Sequence, residues 1–227
     1  MTATAIMTET GASPKNSTRT ALIRAAINIF GRDGFAAAST RSIAEEAEVN
    51  QALINYHFKT KQGLYLAVFE YINAYVEDGI GDALTEIETT LAENPNIEKV
   101  FYWQSIKKLL GGMLHMINSF ETKDWSTLII REQQYPTEAF AIMENGVHGR
   151  LRKVIDVLVA RQLGLNDESE EAKLMTITLL GQIFMFKVGR ATVLASMGWE
   201  KISAEKLKHI EQCIFNNFST ILKVETI

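Results

Sequence analysis

The apolar residues of segment 18–34 recur at the spacing of one helical face. They lie at i, i+3, i+4, i+7 and i+8, namely at Leu22, Ala25, Ala26, Ile29 and Phe30. Side chains at this spacing line up along one side of an α-helix, and that side is then buried against a core. Gly31 and Gly34 follow the last apolar position and favour a helix end. The pattern therefore predicts an amphipathic helix that ends near Gly34.

Two shorter helices are predicted directly after the first, joined by a tight corner. The hydroxyl group of Ser39 can cap the second helix. The third helix covers 51–57 and turns Leu53 or Ile54, and then Phe58, toward the shared core. A fourth helix is expected over about 60–79. Three short helices, of which the last two meet at a tight turn, form a helix-turn-helix unit.

The rest of the chain is predicted to be helical as well. No segment shows the alternation of a strand, and further helices are expected at 82–93, 97–119, 124–134, 137–163, 170–195 and 203–223. The last two carry apolar residues around more of their circumference than a surface helix of a monomer needs. We therefore expect an all-α chain that self-associates through 170–190 and 203–223, as a four-helix bundle across a two-fold axis.

Composition narrows the class of protein. The chain has 227 residues and a single cysteine, Cys213, so an internal disulfide framework and a cysteine-rich zinc cluster are both excluded. Residues 1–16 lack a basic start followed by an apolar core, and they are expected to form a disordered tail rather than an export signal. No stretch approaches the length of a membrane span. These features favour a cytoplasmic protein.

The charge is divided unevenly along the chain. The net charge is −4, yet residues 17–65 hold six basic and four acidic side chains, against 16 basic and 22 acidic in 66–227. Such a division suggests that the N-terminal region alone meets a polyanion.

The N-terminal region resembles the DNA-binding domain of the TetR family of bacterial transcriptional regulators. The residues that carry the resemblance are Phe30, Gly34, Ser39-Thr40-Arg41, Ile43-Ala44, Ala47, Val49, Tyr56-His57-Phe58, Lys61 and Leu64. The resemblance implies a DNA-binding domain over 17–66 and a helical ligand-binding and dimerisation domain over 67–227. It also implies that Tyr56, His57 and Lys61 hold the DNA backbone while the third helix contacts bases.

The chemistry of these positions supports a DNA-binding interpretation. Gln51 and Asn55 can pair with adenine through two hydrogen bonds, and Ala52 can contact a thymine methyl group. Arg41 could reach guanine or a phosphate. The remaining candidate phosphate contacts are Ser39, Thr40, Tyr56, His57 and Lys61. For Tyr56 and His57, packing against the fourth helix is the alternative, and Gln51 and Asn55 could instead be ordinary solvated residues.

Glu48 departs from the family pattern, which usually has glycine at this corner. If the position needs a left-handed backbone, Glu costs about 1–2 kcal/mol there. It also brings a negative charge close to the DNA. We expect a slightly different turn and some loss of DNA affinity.

The C-terminal region resembles regulators of the CecR type. The resemblance rests on Ile130-Arg131-Glu132-Gln133, Gly181-Gln182-Ile183, Lys187-Val188-Gly189-Arg190 and Gly198-Trp199. It implies a cavity for a small effector. Polar residues that interrupt apolar helices, together with aromatic and methionine side chains, make up the candidate ligand contacts: Trp103, His115, Met116, Phe120, Arg131, Glu132, Gln133 and Phe184. A structural Arg131–Glu132 pair is the alternative for those two residues.

An enzyme is not expected. The four histidines are scattered, with no HExxH arrangement, and no GxSxG elbow occurs. We expect no cofactor and no metal site. The favoured function is a homodimeric repressor that a mostly apolar small molecule releases from a near-palindromic operator. The alternative is a helical ligand-binding or adaptor protein with little DNA affinity.

Overall fold

A computed structural model describes residues 14–94, 97–119 and 123–224 of the chain. Within these ranges the chain forms eleven helices and no strand, as the hydrophobic pattern predicts. The helices are α1 (Pro14–Ala37), α2 (Thr40–Glu46), α3 (Ala52–Phe58), α4 (Lys61–Glu93), α5 (Lys99–Asn118), α6 (Lys123–Gln134), α7 (Glu138–Asn145), α8 (Val147–Leu163), α9 (Glu170–Val188), α10 (Arg190–Met197) and α11 (Ala204–Ile221).

The chain divides into two compact units. Met1–Ile72 forms the first, which we call the head unit, and Asn73–Ile227 forms the second, the body unit. Helix α4 contains the point of division, which lies shortly after the predicted boundary at residue 66.

The head unit contains the three predicted helices and the first turns of α4. Its core includes Phe30, Ile43, Ile54 and Leu64, all fully buried. The predicted end of the first helix is confirmed, because Gly34 has non-helical angles of φ 79° and ψ 165° within α1. At its other end α1 begins at Pro14, inside the predicted tail, and residues 1–13 lie outside the described residues.

Helix α4 is longer than predicted. The expected helices at 60–79 and 82–93 are one continuous helix of 33 residues. Glycine inside a helix costs about 1 kcal/mol relative to alanine, which is why the sequence around Gly79 and Gly81 indicated a break. The apolar face of α4, which buries Leu84, Ile87 and Leu91 in the body unit, outweighs that cost.

Two predicted helices are instead divided at glycines. The expected helix 137–163 breaks at Gly146, and the expected helix 170–195 breaks at Gly189, where α9 and α10 are bent by 75°. A Cβ atom at Gly146 would overlap the side chain of Asn73, so a bulkier residue would not fit this corner. Close tertiary approach, which a hydrophobic pattern does not encode, explains this missed break.

Helix α8 lies at the centre of the body unit. It packs against α5, α7 and α9 and buries Val154, Ile155, Leu158 and Val159. In the described ranges no single helix is long and apolar enough to cross a membrane, although α9 and α10 together meet that length and composition.

Candidate nucleic-acid interface and ligand cavity

The start of α2 is held by a reciprocal cap. The Ser39 side chain accepts a hydrogen bond from the Ser42 backbone N–H at 3.0 Å, and the Ser39 N–H donates to the Ser42 hydroxyl at 3.3 Å. Both groups would otherwise be unpaired donors at a helix start. The predicted cap is confirmed, and it already uses the hydroxyl group that was expected to face a phosphate.

The corner between α2 and α3 depends on the backbone of Glu48. The Val49 N–H donates to the Ala44 carbonyl at 3.0 Å, and the Glu48 N–H donates to the Glu45 carbonyl at 3.1 Å. These two bonds form a Schellman motif, in which a left-handed residue ends the helix. Glu48 has a φ of 54°. The expectation of a different turn was therefore wrong, because Glu48 accepts the strain and the turn keeps the form that glycine would give it.

Helix α3 has one buried face and one exposed face. Ile54 and Phe58 are buried, as predicted. Gln51, Ala52, Asn55 and Tyr56 are exposed, and Tyr56 retains 56% of its surface. His57 is half-buried, and its ring lies 5.0 Å from that of Tyr56. The candidate base contacts therefore share the exposed side of α3.

Polar contacts join α2 to α3. The Gln51 amide nitrogen donates to the Thr40 hydroxyl at 2.8 Å, across the corner. On α2 itself, Arg41 Nε forms an exposed ion pair with Glu45 at 2.8 Å. Gln51, Thr40 and Arg41 therefore have partners within the chain, and their contacts with DNA stay predictions.

Lys61 has partners inside the head unit. Its Nζ donates to the carbonyl oxygens of Phe35 at 2.8 Å and Ala38 at 2.9 Å, and it lies 4.4 Å from the centre of the Phe35 ring. These contacts pair carbonyl groups at the end of α1. The structure thus supplies Lys61 with a packing role, and the phosphate contact implied by the resemblance stays a prediction.

The body unit contains a partly open cavity of about 620 Å³. Five helices, α5 to α9, line it with mostly apolar side chains, which are Met113, Ile129, Ile130, Phe140, Met143, Leu151, Ile155, Ile177, Leu180, Phe184 and Val188. A cavity of this size and character suits a small organic molecule.

A polar region lies within the lining and combines Gln133, Gln134, Glu144, His148 and Arg152. Arg152 forms an ion pair with Glu144. The second partner of Arg152 is the buried carboxylate of Asp156, 3.3 Å from Nη1. Burial raises the pKa of the Asp156 carboxyl group above its ordinary value, and the charge of Arg152 offsets only part of this rise.

His148 links the cavity to helix α4. Its Nδ1 lies 2.7 Å from the Asn73 side-chain oxygen, and the Asn73 amide nitrogen donates to the Ile142 carbonyl at 2.6 Å. A carbonyl can only accept, so the Asn73 oxygen faces His148, and Nδ1 must carry the proton. Burial lowers the pKa of His148 below its usual value. The neutral ring therefore has Nε2 as an acceptor.

The cavity includes two of the eight predicted ligand residues, Gln133 and Phe184. Five others, Trp103, His115, Met116, Arg131 and Glu132, do not belong to the lining. Phe120 lies outside the described residues.

Three of the five residues that lie outside the lining have contacts that explain their positions. Glu132 is buried and accepts from the Thr137 backbone N–H at 2.9 Å, at the start of α7. His115 Nε2 lies 3.3 Å from a Glu211 oxygen, and the ring of Trp103 packs against Phe215. These are contacts between helices, which a helical pattern cannot distinguish from ligand contacts.

Glu144, His148 and Arg152 were missed as lining residues. They lie in the segment that was interpreted as one helix, on either side of the break at Gly146. One signal was present in the sequence, because Arg152 and Asp156 stand four residues apart on an otherwise apolar face of α8.

The two helices predicted to dimerise differ in what they expose. On α11, Ile214 and Phe218 are buried within the subunit, so they belong to its core rather than to an interface. On α9, the exposed fractions of Leu174, Ile177, Met185 and Val188 lie between 49% and 59%. We call these four residues, with Gly181 between them, the α9 stripe. Their spacing of three, four, four and three places them along one side of the helix.

Two family profiles match the chain in succession. Residues 22–68 match the profile described as bacterial regulatory proteins, tetR family. Residues 103–223 match the C-terminal domain of the HTH-type transcriptional dual regulator CecR.

Comparison with individual proteins agrees with the profiles. The chain is 30% identical over 202 residues to the HTH-type transcriptional dual regulator CecR of Shigella flexneri, covering 89% of this chain and 90% of the relative. Among solved structures, AibR in complex with isovaleryl coenzyme A and operator DNA has a TM-score of 0.62 at 14% identity, covering 88% of this chain and 97% of AibR. The fatty acid degradation regulator FadR from Bacillus halodurans has a TM-score of 0.54 at 15% identity, covering 91% and 97%.

Proposed function

The chain belongs to the TetR family of bacterial regulatory proteins, with a CecR-type C-terminal domain, and we propose that it represses transcription as a homodimer which an effector releases from its operator. DNA-binding regulation of transcription is the shared function of this family. The observation that carries the proposal further is the exposed polar face of α3, held in place by a capped α2 and a Schellman corner.

Two kinds of DNA contact are assigned to the head unit. Gln51 and Asn55 contact base edges, because their amides are exposed on one side of α3 and match the hydrogen-bonding edge of adenine. The backbone-positioning contacts are Ser39, Thr40, Arg41, Tyr56, His57 and Lys61, with Ala52 against a thymine methyl group. Two such heads span half-sites roughly 34–36 Å apart, so the operator is expected to be near-palindromic.

A gel-shift experiment on the DNA beside the gene for this chain tests the assignment. Asn55→Ala should relax the preference at one base pair, at a cost of about 1–3 kcal/mol. Lys61→Ala should weaken binding to all sequences similarly and lower the salt slope by about one unit. Asn145→Ala, at an exposed position of α7, is the matched control and should leave binding unchanged.

The variants also need a stability measurement. Lys61→Ala leaves two carbonyl groups at the end of α1 without their present partner, so its thermal midpoint shows how much of the lost affinity comes from packing. An unaltered sequence preference in Asn55→Ala would remove Asn55 from the base contacts. Failure of the wild-type protein to shift any DNA would instead favour the adaptor function, which the strained, acidic Glu48 makes the second candidate.

Dimerisation is assigned to the α9 stripe. Its exposed side chains form a continuous apolar strip in a single subunit, and burial of such a strip against a second copy removes it from water. Three residues of the stripe, Ile177, Gly181 and Val188, also belong to the lining of the cavity. The exposed side of α11 adjoins this contact in the bundle that we propose.

The effector is assigned to the cavity of the body unit. A ligand there would contact His148, whose ring is bonded to Asn73 on α4, the helix that begins in the head unit. A shift of α4 would change the spacing of the two heads, and the effector would favour the spacing that does not fit the operator. By linkage, operator DNA must weaken effector binding by the same factor.

A further inference from the structure

We propose that the cavity in the body unit selects an apolar molecule with a positively charged nitrogen, and excludes a carboxylate of the same size. This inference rests on the proposed effector role of the cavity and adds the chemical class of the molecule. Four features of the lining carry it: the pairing of Arg152 with carboxylates, the state of His148, the aromatic and methionine side chains, and the size.

The guanidinium group in the lining already has carboxylate partners. Arg152 is the one lysine or arginine among the described lining residues, and it is paired with both Glu144 and Asp156. Glu144 belongs to the lining, whereas Asp156 lies outside it, where the charge of Lys173 also lowers the pKa of its carboxyl group. An anionic ligand would have to compete with Glu144 for Arg152, whereas a cation could pair with Glu144.

Arg152 is also poorly placed to change partners. Drawing its guanidinium toward an anionic ligand would weaken its contact with the Asp156 carboxylate, whose side chain is 7% exposed. A buried charge that loses its partner is strongly destabilising. Glu144 is different, because its side chain is already 40% exposed. Its carboxylate can therefore accept a hydrogen bond from a ligand without a rearrangement that exposes it further.

The state of His148 favours a hydrogen-bond donor. Its Nδ1–H is committed to Asn73, and burial keeps the ring neutral, so Nε2 is an acceptor. An ammonium group can donate both to this nitrogen and to the Glu144 carboxylate. A carboxylate ligand has no proton to give to either group.

The apolar part of the lining suits the same class of molecule. Phe140 and Phe184 present aromatic rings, and ring faces attract cations. Met113 and Met143 are flexible and polarisable, and can adapt to an alkyl chain or to a flat ring. The volume of about 620 Å³ admits such a body together with its charged group.

Calorimetry with three matched probes tests the charge preference. The probes are decylamine, decanol and decanoate, which share one alkyl chain and differ in the charge of the head group. They are titrated into the full-length, DNA-free protein near neutral pH. We expect decylamine to bind at least about tenfold more tightly than decanoate, with decanol between them.

The variant Glu144→Gln tests whether this carboxylate causes the charge preference. Its removal should weaken the binding of decylamine and strengthen the binding of decanoate, each by about threefold to tenfold. Glu138→Gln, at an exposed position in the first turn of the same helix, is the matched control and should change neither affinity. A purely structural effect of Glu144→Gln would move both probes in the same direction.

Three results would overturn the inference. They are decanoate binding as tightly as decylamine, a shift of both probes in the same direction in Glu144→Gln, and the absence of binding by any probe. Because the titrations contain no DNA, they are independent of the gel shift. A chain that binds decylamine but no DNA keeps the cavity chemistry and loses the repressor function, whereas the reverse outcome removes the cavity chemistry alone.

Discussion

The head unit and the body unit use their basic side chains in different ways. In the head unit, Arg32 and Arg41 pair with carboxylates one and four residues away on the same helix, and these pairs are exposed. In the body unit, Arg150 on α8 reaches three residues of α4, bonding to Glu77 at 2.8 Å, Thr85 at 2.8 Å and Glu88 at 2.6 Å.

This difference shows what charge is used for in each unit. The pairs of the head unit cost little to separate in water, so their arginines can turn to phosphate groups. Arg150 of the body unit instead joins α8 to α4. The region with the modest basic excess, 17–65, is the part of the chain that we propose contacts DNA.

The largest expected effect is on dimerisation, through the exposed apolar surface of the body unit. In the described part of the head unit, Tyr56 is the one large apolar side chain that is exposed. The double variant Leu174→Glu, Met185→Glu should be monomeric in sedimentation experiments, because it places two charges in the α9 stripe. Neither residue lines the cavity. Val100→Glu introduces the same change at an exposed apolar position of α5 and should remain dimeric. A dimeric double variant would place the interface elsewhere.

The contrast between arginines can be tested through stability. Arg150→Met should lower the free energy of unfolding by about 1–3 kcal/mol, because two carboxylates and a hydroxyl group on α4 lose their donor. Arg32→Met in the head unit should leave the urea midpoint unchanged, since its pair with Asp33 is exposed. Equal effects of the two substitutions would contradict the distinction between the units.

The smallest expected effect is the change in folding stability with pH. Burial lowers the pKa of His148 from its ordinary value of 6.5. Below that value the unfolded chain takes up a proton that the folded chain resists, so stability should fall as the pH is lowered through 6.5. Between about pH 7.5 and about pH 5.5, His148→Gln should lose less stability in urea titrations than the wild-type protein does. His209→Gln, at an exposed position of α11, should behave like the wild type.

The head unit was largely predictable because its structure is local. The Ser39 cap, the helix end at Gly34 and the buried Ile54 follow from residues close together in the chain. Lys61 is the exception. Its ammonium group bonds to carbonyl oxygens 23 and 26 residues away, a contact that no local pattern indicates.

The body unit was predictable as a set of helices but not as a site. Its all-α class follows from helical periodicity, and Gln133 and Phe184 were identified as cavity residues from their type alone. The breaks at Gly146 and Gly189, and the lining residues Glu144, His148 and Arg152, were not found.

The sequence by itself determined that the chain is all-α, where the helix-turn-helix lies and which family the chain belongs to, since each depends on short-range spacing and capping. Only the tertiary structure decided which side of each helix is buried when apolar residues surround it. Phe218 of α11 lies in the core while Met185 of α9 lies at the surface, although both helices were predicted to form the dimer contact. The physical reason is that burial depends on which helices pack together, and five helices must meet before the cavity exists.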